Sequence, residues 1–278
     1  MHPWIMLCCC VIGWMAQIGG EEVPVVLVSV APYQFLVEQL AQGSVRPQLM
    51  VPSGASAHSY EPTVKQMQEA ALAKVWLGIG EPFEKKAVAA LRLHRSDFRW
   101  IDLREGLDLL FTEKCSCHAG ADPHIWLSLR LLGQQAKTIC AQLQELKPSQ
   151  ALFYAERLSE LLQKFSALDH AISAVLQPFH NTILAVSHPA YGYFCRDYGL
   201  IQIAIEQEGR DPTIKQILGV EAMFSKNRVS RIFVQPQYSD KAARLIAEQL
   251  SAKLVTLDPY TADTPTFLKE LAHAISLP

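Results

Sequence analysis

Glu61-Pro62-Thr63-Val64-Lys65-Gln66 is answered later in the chain by Asp211-Pro212-Thr213-Ile214-Lys215-Gln216. In each copy an acid stands before Pro, which reads as a helix start with the acid as cap and Pro at the first helical position. The likeness extends outward. Upstream, Val25-Val26-Leu27-Val28-Ser29 matches Ile183-Leu184-Ala185-Val186-Ser187, and each run leads to Pro and then an aromatic pair (Tyr33 and Phe35; Tyr191 and Tyr193). Downstream, Ala73-Lys74-Val75-Trp76-Leu77-Gly78 matches Val229-Ser230-Arg231-Ile232-Phe233-Val234, each followed by an amphipathic helix (Glu84 to Leu91; Asp240 to Leu250). Each half therefore alternates strand and helix, the pattern of a parallel sheet wrapped by helices, and the fold class is α/β.

Between the halves, Trp126 to Leu146 reads as one helix ending near Lys147-Pro148. A second runs from about Ser149 to Leu176, with apolar residues at three- and four-residue spacing (Leu158, Leu161, Leu162, Phe165, Leu168, Ile172). No Gly/Ser linker is present, so a long helix joins the halves and restricts their relative motion. The expected organisation is a leader at 1–20, a first lobe at 21–148, a connecting helix at 149–177 and a second lobe at 178–278.

The 278 residues are 50% hydrophobic and 19% charged, which describes a globular chain with room for two lobes. A net charge of -2, with no Lys/Arg-rich stretch, argues against nucleic acid. Trp4 to Ile18 is uncharged but shorter than the ~20 residues of a membrane span, and Gly19-Gly20 precedes two acids. This reads as an export signal, although its start carries His2 and no Lys or Arg. Leu7-Cys8-Cys9-Cys10 is an imperfect lipidation box that would anchor Cys10. Of seven cysteines, Cys115, Cys117, Cys140 and Cys195 lie beyond this segment, too few for a disulfide scaffold. Cys140 and Cys195 are expected to be buried and structural.

Four residues fall where α/β sheets bind ligands, beyond the carboxyl ends of strands or at a helix start. His58 lies in the loop after Pro47–Val51, His124 in Asp122-Pro123-His124-Ile125-Trp126, His188 in Val186-Ser187-His188-Pro189, and Asp258 in Leu257-Asp258-Pro259. Two come from each half. Imidazole suits Zn²⁺ and its first-row neighbours, and a carboxylate keeps Mn²⁺ or Fe²⁺ open. Four protein donors suit a carrier, whereas a catalytic zinc keeps one position for water. Each residue alone could equally be a cap or a turn residue. His94, His170, His180 and His273 lack such contexts. No His-Glu-x-x-His helix or comparable hydrolytic set is present, so no enzyme is expected.

Gly54 to His58, Asp122-Pro123-His124-Ile125-Trp126-Leu127-Ser128, Ser187-His188-Pro189-Ala190-Tyr191-Gly192-Tyr193-Phe194 and Leu257-Asp258-Pro259 together resemble the zinc/manganese solute-binding proteins of ABC transporters. The resemblance runs from about Val25 to the C-terminus. It implies two (β/α)4-like lobes joined by a long backbone helix, with His58, His124, His188 and Asp258 as metal ligands. It also implies an exported, periplasmic or envelope-bound monomer that delivers one ion to a membrane permease. His at the third position favours the zinc type, with manganese or iron as the alternative. The loop holding Glu206 and Glu208 is the second-half counterpart of the His58 loop, so Glu206 is expected nearby. The family's long His- and acid-rich loop is short here (Lys114-Cys115-Ser116-Cys117-His118-Ala119-Gly120-Ala121) and could hold metal loosely at the rim. A secreted metal-dependent hydrolase, an adhesin and a metal-chelate receptor are the other classes open to such a sequence.

Overall fold

The computed structural model describes residues 22–111, 120–206 and 212–277. The leader with Cys10, the Cys115-Cys117-His118 segment, Glu208 and Asp211 lie outside them.

The first half runs β1 (Val25–Val28), α1 (Ala31–Ala41), β2 (Arg46–Leu49), α2 (Val64–Ala70), β3 (Val75–Gly78), α3 (Pro82–His94) and β4 (Arg99–Asp102). Two long helices follow, α4 (Leu129–Leu146) and α5 (Ala151–Leu176). The second half runs β5 (Ile183–Val186), α6 (Gly192–Tyr198), β6 (Ile201–Ala204), α7 (Ile214–Lys226), β7 (Arg231–Val234), α8 (Lys241–Leu250), β8 (Lys253–Thr256) and α9 (Thr264–Ser276). Among the described residues the strands form two parallel sheets of the same order, β2-β1-β3-β4 and β6-β5-β7-β8. The inner strands β1 and β3 are buried along their whole length, as helices on both faces demand. In each sheet the chain leaves the first strand one way and then the other. A crevice therefore opens beyond the carboxyl ends of β1 and β3, and of β5 and β7.

Both copies of the hexapeptide do begin a helix, but the cap is not the acid. Thr63 and Thr213 hold the cap position, each hydroxyl accepting from the backbone N–H of Gln66 or Gln216. The Gln side chain accepts in return from the Thr backbone N–H, at 2.9 Å and 2.7 Å. Pro thus sits before the cap rather than inside the helix, and the reciprocal Thr–Gln pair satisfies two end donors.

The expected helix from Trp126 is interrupted. Ile125–Leu127 form one 3₁₀ turn, and Ser128 then caps α4 by accepting from Leu131 N–H. Pro148 opens a second 3₁₀ turn, after which α5 extends for 26 residues, about 39 Å at 1.5 Å per residue. It buries Tyr154, Leu161, Phe165, Ile172 and Leu176, and packs against α1 and α4 on one side of the molecule and α9 on the other.

The cores of the two halves are unequal. One large cluster takes in the first sheet, α1, α4, α5, α9 and the inner side of the second sheet. A smaller one, built on Val220, Phe224, Ile232, Val234 and Ile246, fills the outer side of the second sheet. Cys140 and Cys195 are buried free thiols, as expected, and burial pushes both of their pKa values up. No helix among the described residues is long and apolar enough to cross a membrane.

Candidate metal centre

His58 sits on a 3₁₀ turn (Ala57–Ser59) reached from β2 through a bend at Gly54, whose φ of +81° is a left-handed conformation that favours glycine. His124 immediately precedes the 3₁₀ turn at Ile125–Leu127, and His188 follows β5 directly. Three short segments from both halves of the chain thus converge. The ring centroids are 5.0 Å (His58–His124), 5.3 Å (His58–His188) and 5.4 Å (His124–His188) apart, and one nitrogen from each lies within 4.8 Å of the other two.

Every ring is oriented by a carboxylate. His58 Nδ1 lies 3.1 Å and 3.2 Å from the two oxygens of Glu81, His124 Nδ1 lies 2.8 Å from Asp122 Oδ1, and His188 Nδ1 lies 2.8 Å from Glu206 Oε2. An ionised carboxylate only accepts, so each Nδ1 donates and each neutral ring keeps its lone pair on Nε2. His58 Nε2 and His124 Nε2 face one another at 3.2 Å, and His188 Nε2 is buried with no hydrogen-bond partner among the described residues. Lone pairs set this close repel unless a proton or a metal ion lies between them. Two nitrogens each about 2.05 Å from a tetrahedral Zn²⁺ would be ~3.3 Å apart, close to the spacing seen.

Electrostatics likewise favour a cation. Glu81 and Asp122 are buried, and with Glu206 they set three acidic side chains behind the three imidazoles. Burial pushes the His188 pKa below its ordinary value, against the opposing pull of Glu206, which keeps the ring in its ligating form. Asp122 is held twice more. It accepts from the His124 backbone N–H at 2.9 Å, and its carbonyl accepts from the Tyr193 hydroxyl at 2.8 Å. A Cβ on Gly192 would stand 2.8 Å from Asp122 Oδ2, so glycine there lets α6 approach this carboxylate.

The fourth sequence candidate stands apart. Asp258 is outside the His trio, and its Oδ1 accepts from Gln237 Nε2 at 2.7 Å and from the Tyr260 backbone N–H at 2.9 Å. It remains tied to the site through its neighbour, because Pro259 O accepts from the indole of Trp126 at 2.8 Å and Trp126 packs on His124. Glu206, expected nearby, is the partner of His188. Glu81 and Tyr238 were not singled out from sequence. Glu81 had a signal, since it lies three residues beyond a buried strand, at the ligand-binding end of the sheet. His94, His170, His180 and His273 all lie outside the trio.

A family model described as zinc-uptake complex component A, periplasmic, matches residues 26–276. A putative metal-binding protein of Chlamydia muridarum is 28% identical over 263 residues, covering 92% of this chain and 93% of that protein. The high-affinity zinc uptake system protein ZnuA of Bacillus subtilis is 24% identical over 87% of this chain and 80% of its own. The manganese ABC transporter substrate-binding lipoprotein PsaA of Streptococcus mitis is 26% identical over 88% and 82%. Among solved structures, a crystal structure of ZnuA superposes with a TM-score of 0.86 at 32% identity, covering 92% of this chain and 98% of that one. The periplasmic zinc-binding protein TroA of Treponema pallidum shares the fold, with a TM-score of 0.82 at 18% identity. With its two like-ordered parallel sheets, its long joining helix and a family match spanning nearly its whole length, the chain belongs to the zinc-uptake component A family of metal ABC-transporter solute-binding proteins.

Proposed function

We propose that this chain is an exported receptor that binds one Zn²⁺ between its lobes and delivers it to an ABC import permease. The lobes are residues 21–148 and 178–278, and residues 149–177 connect them. The observation that carries the reading is the convergence of three imidazoles, each with Nδ1 on a carboxylate and Nε2 directed inward. His58, His124 and His188 bind the ion, and Asp258 supplies the fourth donor from the second lobe. Three nitrogens and one oxygen suit Zn²⁺, and the single oxygen is what would let Mn²⁺ or Fe²⁺ compete. Four protein donors leave no position for an attacking water, so the chain acts as a receptor and not as an enzyme.

In this mechanism the buried carboxylates keep the rings aimed before the ion arrives, so little ordering accompanies capture. Acid releases the ion, because protons compete for the same lone pairs. The bound ion joins segments of both lobes, stabilises the protein by mass action and marks the loaded state for the permease.

The deciding experiment strips the purified protein with chelator and offers Zn²⁺, Mn²⁺ and Fe²⁺ in competition. Bound ions are counted by elemental analysis, also for His188→Ala and Asp258→Ala. One Zn²⁺ per chain, lost in His188→Ala and weakened in Asp258→Ala, is the expected result. Preference for Mn²⁺ would keep the site and change the cargo. No stoichiometric metal under any condition would overturn the receptor reading.

A further inference from the structure

The ring of Tyr238 lies 4.1 Å from that of His188 and only 13° from parallel to it. Its hydroxyl lies 3.1 Å from Ser56 Oγ, across 182 residues of sequence. Ser56 stands immediately before the 3₁₀ turn that carries His58 and spends no side-chain bond on capping it. Tyr238 itself sits on a turn after β7, closed by its backbone N–H to Gln235 O at 3.3 Å and flanked by the Gln237–Asp258 bond. One side chain of the second lobe thus lays its face on one imidazole and its oxygen on the loop holding another.

Stacking alone would need only a Phe at this position. The hydroxyl adds a polar link between lobes. The orienting carboxylates act differently. Glu81 and Glu206 each fix a ring from its own lobe, whereas Tyr238 reaches across.

We infer that Tyr238 is a positioning residue that clasps the His58 loop to His188, so that its hydroxyl sets how fast the ion leaves rather than which ion is chosen. This rests on the receptor reading of His58 and His188. An ion held by both rings is freed when the His58 loop lifts, and that motion must break the Tyr238–Ser56 bond.

The test compares Tyr238→Phe, Ser56→Ala, the double variant and Ser56→Thr in the purified full chain. Two rates are followed: Zn²⁺ release to a chromophoric chelator, and amide hydrogen exchange of residues 52–60 in the metal-free protein. Tyr238→Phe and Ser56→Ala should each speed both rates roughly two- to tenfold, the worth of one neutral hydrogen bond. The double variant should be no faster than either single variant, and Ser56→Thr, which keeps a hydroxyl, should behave as the parent. Unchanged rates in both single variants, or effects that multiply in the double variant, would overturn the clasp. A parent that bound no Zn²⁺ would overturn the receptor reading instead, and the exchange rates would still decide the clasp.

Discussion

The two sheets share one strand order yet arm different corners of it. In the first, the position just beyond the central strand and its Ser is Val30, which is buried. In the second, it is His188, beyond Ser187. The first sheet instead sends His58 from beyond its edge strand β2, while the matching edge of the second, beyond β6, sends Glu206 to orient His188. Three residues past β3 stands Glu81, and three past β7 stands Gln237. Glu81 turns a carboxylate to an imidazole, and Gln237 turns an amide to the carboxylate of Asp258. The orienting group complements the group it orients: an acceptor faces the ring N–H, and a donor faces the anion. A repeated scaffold can therefore supply an unrepeated donor set, because the loops at strand ends vary without disturbing the strands.

The largest difference to break is in the cores. Phe224→Ala, in the small outer cluster, should cost about 3–5 kcal/mol, and Leu36→Ala, in the large one, about 2–5 kcal/mol. The two should fail in different places. Hydrogen exchange should open β6, α7 and α8 first in Phe224→Ala, with α4 and α5 still protected, whereas Leu36→Ala should weaken protection across the shared core. Uniform loss in both variants would mean that the two clusters unfold as one.

The orienting groups give the next effect. Glu81→Ala and Glu206→Ala should each weaken Zn²⁺ binding about 10–100-fold in a competition titration, the usual cost of losing an outer partner of a ligating His. Gln237→Ala should cost less than about tenfold, because Asp258 keeps the Tyr260 backbone N–H. An equal loss at Gln237 would make the second lobe's carboxylate as demanding as the imidazoles.

Much of this plan was legible because it is written in strong local signals. The β-branched runs at Val25–Val28 and Ile183–Val186 lie inside sheets and must be continuously apolar, so they announce themselves. The three His were legible because each follows a strand or precedes a helix start. Strand β4 was not read from the pattern, since Arg99–Asp102 is a partly exposed edge whose polar ends break the apolar run. The 3₁₀ turn at Trp126 was hidden for a related reason: a buried turn and a buried helix share the same apolar residues, and only the Ser128 cap separates them. Tyr238 could not be read at all, because its meaning lies in a contact with Ser56 that no local spacing encodes.

The smallest expected effect tests how closely the repeat is matched. Thr63→Ala and Thr213→Ala each remove one capping box and should each cost about 1 kcal/mol in urea unfolding. A cost confined to one of them would show that the two sequence copies have separated in energetic weight while keeping their geometry.

Helix α5 also matters to anyone who would make this protein report on metal. Under the proposed mechanism, a pair of fluorophores on the far edges of the two sheets should register little, because a 26-residue rod packed by helices of both halves limits how far that separation can change. The useful signal is short-range. On the proposed receptor mechanism a dye beside residues 52–60 or 235–238 sits on the segments that would take up or give back the ion, so quenching or a change in local polarity should serve there where energy transfer across the molecule should fail.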